Sequence, residues 1–209
     1  MPIVPLSVKI AVEKTDLPSP AKGNTRMEWT VMKEISERRS IRKYENRPIE
    51  PEKIALLLES ARLAPSGNNA QPFHLIVITD EAVRAKVAEI SHNQQWMRQA
   101  PLFIACVADL RARITDCEGT LVDENSPEMD VKRVIRDTAI AAEHIVLQAE
   151  HLGLGTCWIG WFIQAEIKAL LNIPQDKFVV TVLTVGYPAE HPSPRPRKTL
   201  EELVHHEGW

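Results

Sequence analysis

Cysteine, aromatic rings and long apolar runs are all scarce in this 209-residue chain. Three cysteines, Cys106, Cys117 and Cys157, are too few for a disulfide scaffold. None pair as C-x-x-C, which removes zinc-ribbon and dithiol-redox readings. No apolar run approaches the roughly 18–20 residues that span a bilayer. A net charge of −3, from 25 basic and 28 acidic residues, is the wrong sign for a dedicated nucleic-acid binder. G-x-S-x-G and H-E-x-x-H are both absent, so hydrolase chemistry has no support. His144 and His151 lie seven apart on one predicted helix without a third ligand of matching spacing, so no metal site is expected. The opening MPIVPLSVKIAVEK lacks a basic n-region and a small-residue cleavage site, and it is broken by Pro2 and Pro5. A cytoplasmic location is therefore expected.

What is present alternates between helical spacing and short apolar runs. Residues 1–27 hold four prolines and little helical period, and read as an N-terminal arm before a domain spanning 28–209. Helical spacing begins near Met27, with Trp29, Met32 and Ile35 three apart, and runs into ISERRSIRKY. Pro51 sits where a first-turn proline belongs, ahead of Ile54, Leu57, Leu58 and Ala61. FHLIVIT (73–79), PLFIACVAD (101–109) and KFVVTVLTVGY (177–187) read as core strands, and TCWIGWF as a fourth strand or strand-to-loop piece. Helices are expected over 81–90, 131–152 and 165–171, the long one stopped by Gly153. Residues 110–130 are polar and read as an excursion. Helices and strands interleave without an internal repeat, which restricts the class to α/β or α+β.

Four segments carry candidate chemistry. Arg38-Arg39-Ser40-Ile41-Arg42-Lys43-Tyr44 offers guanidinium forks and a hydroxyl, the donor set that binds phosphate; a solvated basic helix end has the same composition. Pro65-Ser66-Gly67-Asn68-Asn69-Ala70-Gln71-Pro72 carries three amides able to read a heterocycle's polar edge, but its residues are also those of an ordinary turn. Gly153-Leu154-Gly155-Thr156-Cys157-Trp158-Ile159-Gly160 follows a helix and lacks Rossmann spacing. Gly153 reads as a helix stop, whereas Gly155 and Gly160 permit close approach of a flat ligand. A papain-like role for Cys157 fails because only 52 residues follow it. Arg195-Pro196-Arg197-Lys198 is either an anion clamp or a solvated tail.

Taken in order, these segments closely resemble the nitroreductase family of flavin enzymes over about residues 28–205. RRSIRKY resembles its N-terminal flavin-phosphate signature and PSGNNAQPFH its second signature. AAEHIVLQAEHLGLGTCWIG is similar to its central helix and following turn, and VGYPAE with PRPRKTLEELV to its C-terminal end. The resemblance implies an α+β three-layer sandwich, with a central mostly antiparallel sheet flanked by helices, in a homodimer with two FMN sites at the interface.

It also implies roles residue by residue. Arg38, Ser40 and Arg197 would hold the FMN phosphate, helped by Arg195, and Arg39 would touch the ribityl or ring region. Arg42 would stand near flavin N1 and the C2 carbonyl, where a cation stabilises the anionic reduced ring. Pro65, Ser66, Gly67 and Asn69 of the partner chain would line the flavin, with Gln71 close by. Ile159 and Gly160 would lie against the ring. No protein side chain need act as a catalytic group. NADH or NADPH would reduce the flavin at N5, and a nitroaromatic, quinone or similar electron-poor acceptor would re-oxidise it in a ping-pong cycle. A dehalogenating or flavin-fragmenting relative, or a flavin-binding protein without catalysis, are the alternatives. Trp96, Trp158 and Trp161 are candidate stacking walls for the acceptor, or else packing residues.

Overall fold

Four strands carry the strongest apolar runs and form one antiparallel sheet. The coordinates, a computed structural model, describe residues 30–114, 121–123, 125 and 129–209. The expected arm at 1–27, the helix start at Met27 and Trp29, and Cys117 lie outside the described residues. Residues 115–120, 124 and 126–128 of the 110–130 excursion lie outside them too. The strands are β1 (Phe73–Ile78), β2 (Leu102–Asp109), β3 (Gly155–Ile159) and β4 (Lys177–Gly186), in spatial order β1-β2-β4-β3. The pairings among these four strands are all antiparallel, so the sheet is that of an α+β fold.

Alternation along the central strand builds two cores. Leu102, Ile104 and Cys106 of β2 point to one side, against Leu57 and Ala61 of α2 (Pro51–Arg62) and Ala141, Ala142, Ile145, Val146 and Ala149 of α4 (Met129–His151). Phe103, Ala105 and Val107 point to the other, against Val87 and Ala88 of α3 (Glu81–Ile90), Met97, and Ile167 of α5 (Gln164–Leu170). The result is helix, sheet and helix in three layers. Seven consecutive residues of β2, 102–108, are buried, as expected of a strand covered on both faces. A register shift between Cys106 and Val107 against β4 marks a bulge. Gly153 ends α4 at φ 73°, and the Leu154 N–H reaches back to the Ala149 carbonyl at 2.8 Å.

The basic segment departs from its helical expectation. Helix α1 covers only Lys33–Glu37, and Arg38 is already extended, with ψ 135°. From there the chain runs along the free edge of β3. Ser40 bridges Thr156 in parallel, and the Ile41 N–H donates to the Thr156 carbonyl at 2.9 Å. Ile41 and Tyr44 are buried, which draws this stretch onto the sheet rather than into a continuing helix. The Tyr44 hydroxyl donates to the Ile41 carbonyl at 2.7 Å. A solvated helix end is therefore not its conformation.

At the foot of β2, half-buried Asp109 lies 2.6 Å from Lys177 Nζ and 2.9 Å from His74 Nε2, and it accepts the Arg111 N–H. Burial pushes its carboxyl up. The hydrogen bonds from Lys177 and His74 outweigh that and hold it below its ordinary 3.8. A depressed folded-state pKa stabilises the fold above the unfolded value, and that contribution is lost as pH falls through the folded one. Thermal melts of Asp109→Asn and the parent protein are expected to differ at neutral pH and to converge as pH drops below 3.8. A constant gap across that range overturns the assignment.

Candidate active site

The extended segment and the C-terminal tail bring five arginines to one cavity. Arg38, Arg39, Ser40 and Arg42 reach it from the β3 edge, Arg195 and Arg197 from the tail, and Thr30, Val31, Ile35 and Ser36 from around α1. Its volume is about 790 Å³, within the range of small-molecule and cofactor sites. Among the described residues no carboxylate pairs with any of the five guanidinium groups. The nearby Glu190 carboxylate is already engaged, accepting the backbone N–H groups of Arg42 at 2.7 Å and Lys43 at 3.2 Å. Arg39 donates to the carbonyls of Ser36 and Arg38, while its buried Nε has no partner among the described residues. Such a concentration of unpaired cation favours a ligand with a multiply charged anionic group.

Arg42 is oriented twice over. Glu190 fixes its backbone, and its guanidinium carbon sits 5.7 Å from the centroid of the Trp96 ring. Trp96 thus supports a cation and also packs against the core. Cys157 lies on β3 close to Ser40 and Arg42. Burial pushes its thiol up despite the neighbouring Arg42 charge and the Ser40 hydrogen bond, so it stays protonated and unreactive at neutral pH.

Of the two glycines read as permitting close approach of a flat ligand, Gly155 has a packing part instead. A Cβ at Gly155 would stand 2.6 Å from Ile41 Cγ1, so this glycine makes room for the basic segment itself. Gly160 is exposed with open space where its Cβ would be. The Ile159 side chain is in the core, which leaves its backbone as the part able to meet a ligand.

Pro65, Ser66, Gly67, Asn69 and Gln71 do not reach the arginine cavity of their own chain. They form a separate loop ahead of β1, with a 3-10 turn over Gly67–Asn69. Asn68, Asn69 and Gln71 all hold left-handed φ, at 54°, 53° and 48°, an uncommon conformation for side-chain-bearing residues. Ser66 Oγ accepts the Gln71 N–H at 2.9 Å. Trp158 and Trp161 are exposed, and Trp161 stacks on His92 at 4.1 Å between centroids. Glu190 and the Trp96 contact escaped sequence reasoning because each meets Arg42 only through the fold.

Among the described residues no group of three metal ligands occurs, and no helix is long and apolar enough to cross a membrane. Fold and cavity together define a three-layer α+β protein with a cationic cofactor-sized cleft at a sheet edge. The chain belongs to the nitroreductase family, whose model matches residues 35–187. It is 32% identical to an FMN reductase [NAD(P)H] of Bacillus subtilis over 189 residues, covering 86% of this chain and 74% of the relative. The solved structure of B. megaterium NfrA2 superposes with TM-score 0.76 at 32% identity, over 84% of this chain and 73% of that one. The NADPH:FMN oxidoreductase from Vibrio harveyi, solved with NAD+, gives TM-score 0.75 at 25% identity, over 84% of this chain and 76% of that one.

Proposed function

We propose that this protein is an FMN-dependent oxidoreductase that draws electrons from NADH or NADPH and delivers them to nitroaromatics, quinones or related electron-poor acceptors. The observation that carries the reading is the cavity of five unpaired arginines in a chain of this family. Its donor set suits a phosphate-bearing cofactor, and the buried orphan Nε of Arg39 is a group that such a ligand can satisfy. FMN, when bound, supplies a ring that accepts a hydride from the nucleotide and passes electrons on.

The chain's own residues do the rest. Arg38, Ser40, Arg195 and Arg197 hold the phosphate, with Arg197 the main contact from the tail. Arg39 serves the ribityl or ring region, and Arg42 sets a fixed positive charge where the reduced ring carries negative charge. Pro65, Ser66, Gly67, Asn69 and Gln71 complete the site from a second copy, and Ile159 and Gly160 close it with backbone. Residues 28–209 form the FMN-binding domain in this reading.

A homodimer follows from the division of those residues between two surfaces of one chain. Exposed apolar groups support it: Val31, Met32 and Ile35 around α1, and Leu200, Leu203, Val204 and Trp209 in the tail. Sedimentation equilibrium is expected to give twice the 23.6 kDa of one chain; a monomer carrying full flavin would overturn the shared site.

The function itself is tested by the visible spectrum of the purified protein and an anaerobic titration with each nucleotide. A yellow protein that bleaches with NADH or NADPH, and recovers its colour on adding a quinone, is the expected result. Bound flavin that neither nucleotide reduces would defeat the oxidoreductase reading. A colourless protein that rejects added FMN would defeat the cofactor as well.

A further inference from the structure

A buried ion pair grips one glycine in the amide-rich loop. Arg113, just beyond β2, and Asp137, in the third turn of α4, lie 2.9 Å apart, with side chains only 15% and 12% exposed. Both also bind the backbone of Gly67. The Gly67 N–H donates to Asp137 Oδ2 at 3.3 Å, and Arg113 NH2 donates to the Gly67 carbonyl at 3.1 Å. Three segments distant in sequence thus meet on a single residue's backbone. A Cβ at Gly67 would run into the same guanidinium, with Cζ at 3.3 Å, so a side chain here would push Arg113 out of the grip.

A buried ion pair is weak evidence for stability, because desolvation offsets most of the Coulomb gain. Its value lies in fixing geometry, and the turn beyond Gly67 needs an external constraint. Asn68 and Asn69 hold left-handed φ, which asparagine tolerates, but Gln71 at 48° holds it too, a conformation that such a side chain keeps only where the surroundings impose it. Within the loop the Asn69 N–H donates to the Ser66 carbonyl and the Gln71 N–H to Ser66 Oγ, both at 2.9 Å. These bonds tie the loop to itself, whereas Arg113 and Asp137 tie it to the body of the fold.

We propose that Arg113 and Asp137 are positioning residues that act as one clamp on Gly67, holding Asn69 and Gln71 in the conformation that meets the flavin of the partner chain. The clamp's role in cofactor binding rests on the proposed flavin function. Neither residue touches the arginine cavity, so their effect on the cofactor passes through the loop.

The test uses the full-length protein, first stripped of flavin and then titrated with FMN. In the stripped protein, Arg113→Ala and Asp137→Ala are expected to speed amide hydrogen exchange at Gly67, Asn69, Ala70 and Gln71 by about tenfold or more, while core amides of β2 keep their protection. On titration, each variant is expected to bind FMN up to about tenfold more weakly than the parent, the loss that one misplaced amide hydrogen bond brings. The double variant is expected to be no worse than the poorer single, since the two residues work through one grip. Gly67→Ala supplies a variant that keeps both charges and displaces the guanidinium, and it should reproduce the loop exchange. Unchanged loop exchange, or faster exchange with undiminished FMN affinity, overturns the clamp. Failure of the parent protein to bind FMN defeats the flavin reading instead.

Discussion

Gly155→Val is expected to strip FMN from the protein and to weaken the fold at the same time. Gly155 of β3 pairs with Gly186 of β4, and the two together form a slot in the sheet. A Cβ at Gly155 would stand 2.6 Å from Ile41 Cγ1 and 2.9 Å from Ile41 Cβ. At Gly186 it would meet Tyr44 Cδ1 at 2.8 Å and Pro101 Cδ at 2.7 Å. Ile41 and Tyr44 are the two buried residues of the basic segment, so the glycine pair is the seat on which the arginines are mounted. Adding a branched side chain there leaves nowhere for Ile41 to go except away from β3. That breaks the hydrogen bond from Ile41 N–H to the Thr156 carbonyl and carries Arg38, Arg39 and Ser40 with it.

Overpacking of this kind costs about 1–3 kcal/mol in stability, and the displaced donors about 1.5–3 kcal/mol of ligand binding each. FMN affinity is accordingly expected to fall by more than about a hundredfold. Differential scanning calorimetry and flavin fluorescence read the two effects. Gly160→Val is the control for stability, because nothing lies within 4 Å of its missing Cβ. A Gly155→Val protein that keeps both its melting temperature and its flavin would show that the segment is held elsewhere.

The contrast between these glycines separates what is local in the sequence from what is not. Element type was legible almost throughout. Short continuous apolar runs marked the core strands, Pro51 the start of α2, and Gly153 the end of α4, since each depends on local pattern or local backbone geometry. The conformation of the basic segment was not legible, because Trp29, Met32 and Ile35 carry a helical period up to it. What makes it extended is the burial of Ile41 and Tyr44 against β3 and β4, strands more than a hundred residues further along. The residue types of the arginine cavity were readable as phosphate donors, yet composition alone could not exclude a solvated surface. The shortage of carboxylate partners becomes visible only in three dimensions. Arg113, Asp137 and Glu190 were invisible for the same reason. Each acts on backbone atoms of a distant segment, and a backbone partner leaves no trace in residue type.

Arg42→Ala and Arg197→Ala are expected to fail in opposite ways. Arg197 lines the cavity from an exposed tail, and no carboxylate among the described residues pairs with it, so in the proposed site its part is to hold anionic ligand. Losing one charge-assisted contact costs about 1.5–3 kcal/mol, or roughly a tenfold to hundredfold loss of FMN affinity. The flavin that remains should be reduced at close to the parental rate. Arg42 is anchored differently, with its backbone fixed by Glu190 and its guanidinium held beside Trp96. A cation so fixed cannot follow a mobile phosphate, and it is suited to oppose charge that appears when the ring is reduced. Removing it should therefore lower the two-electron potential, by about 30–60 mV if about 1.4–2.8 kcal/mol of stabilisation is lost. The rate of reduction by NAD(P)H should fall with it, while FMN affinity changes less than in Arg197→Ala. Potentials from dye-equilibrated anaerobic titrations, set against dissociation constants for the same two proteins, separate the roles. If both substitutions move affinity and potential alike, the five arginines form a single undivided anion site and Arg42 has no distinct part in electron transfer.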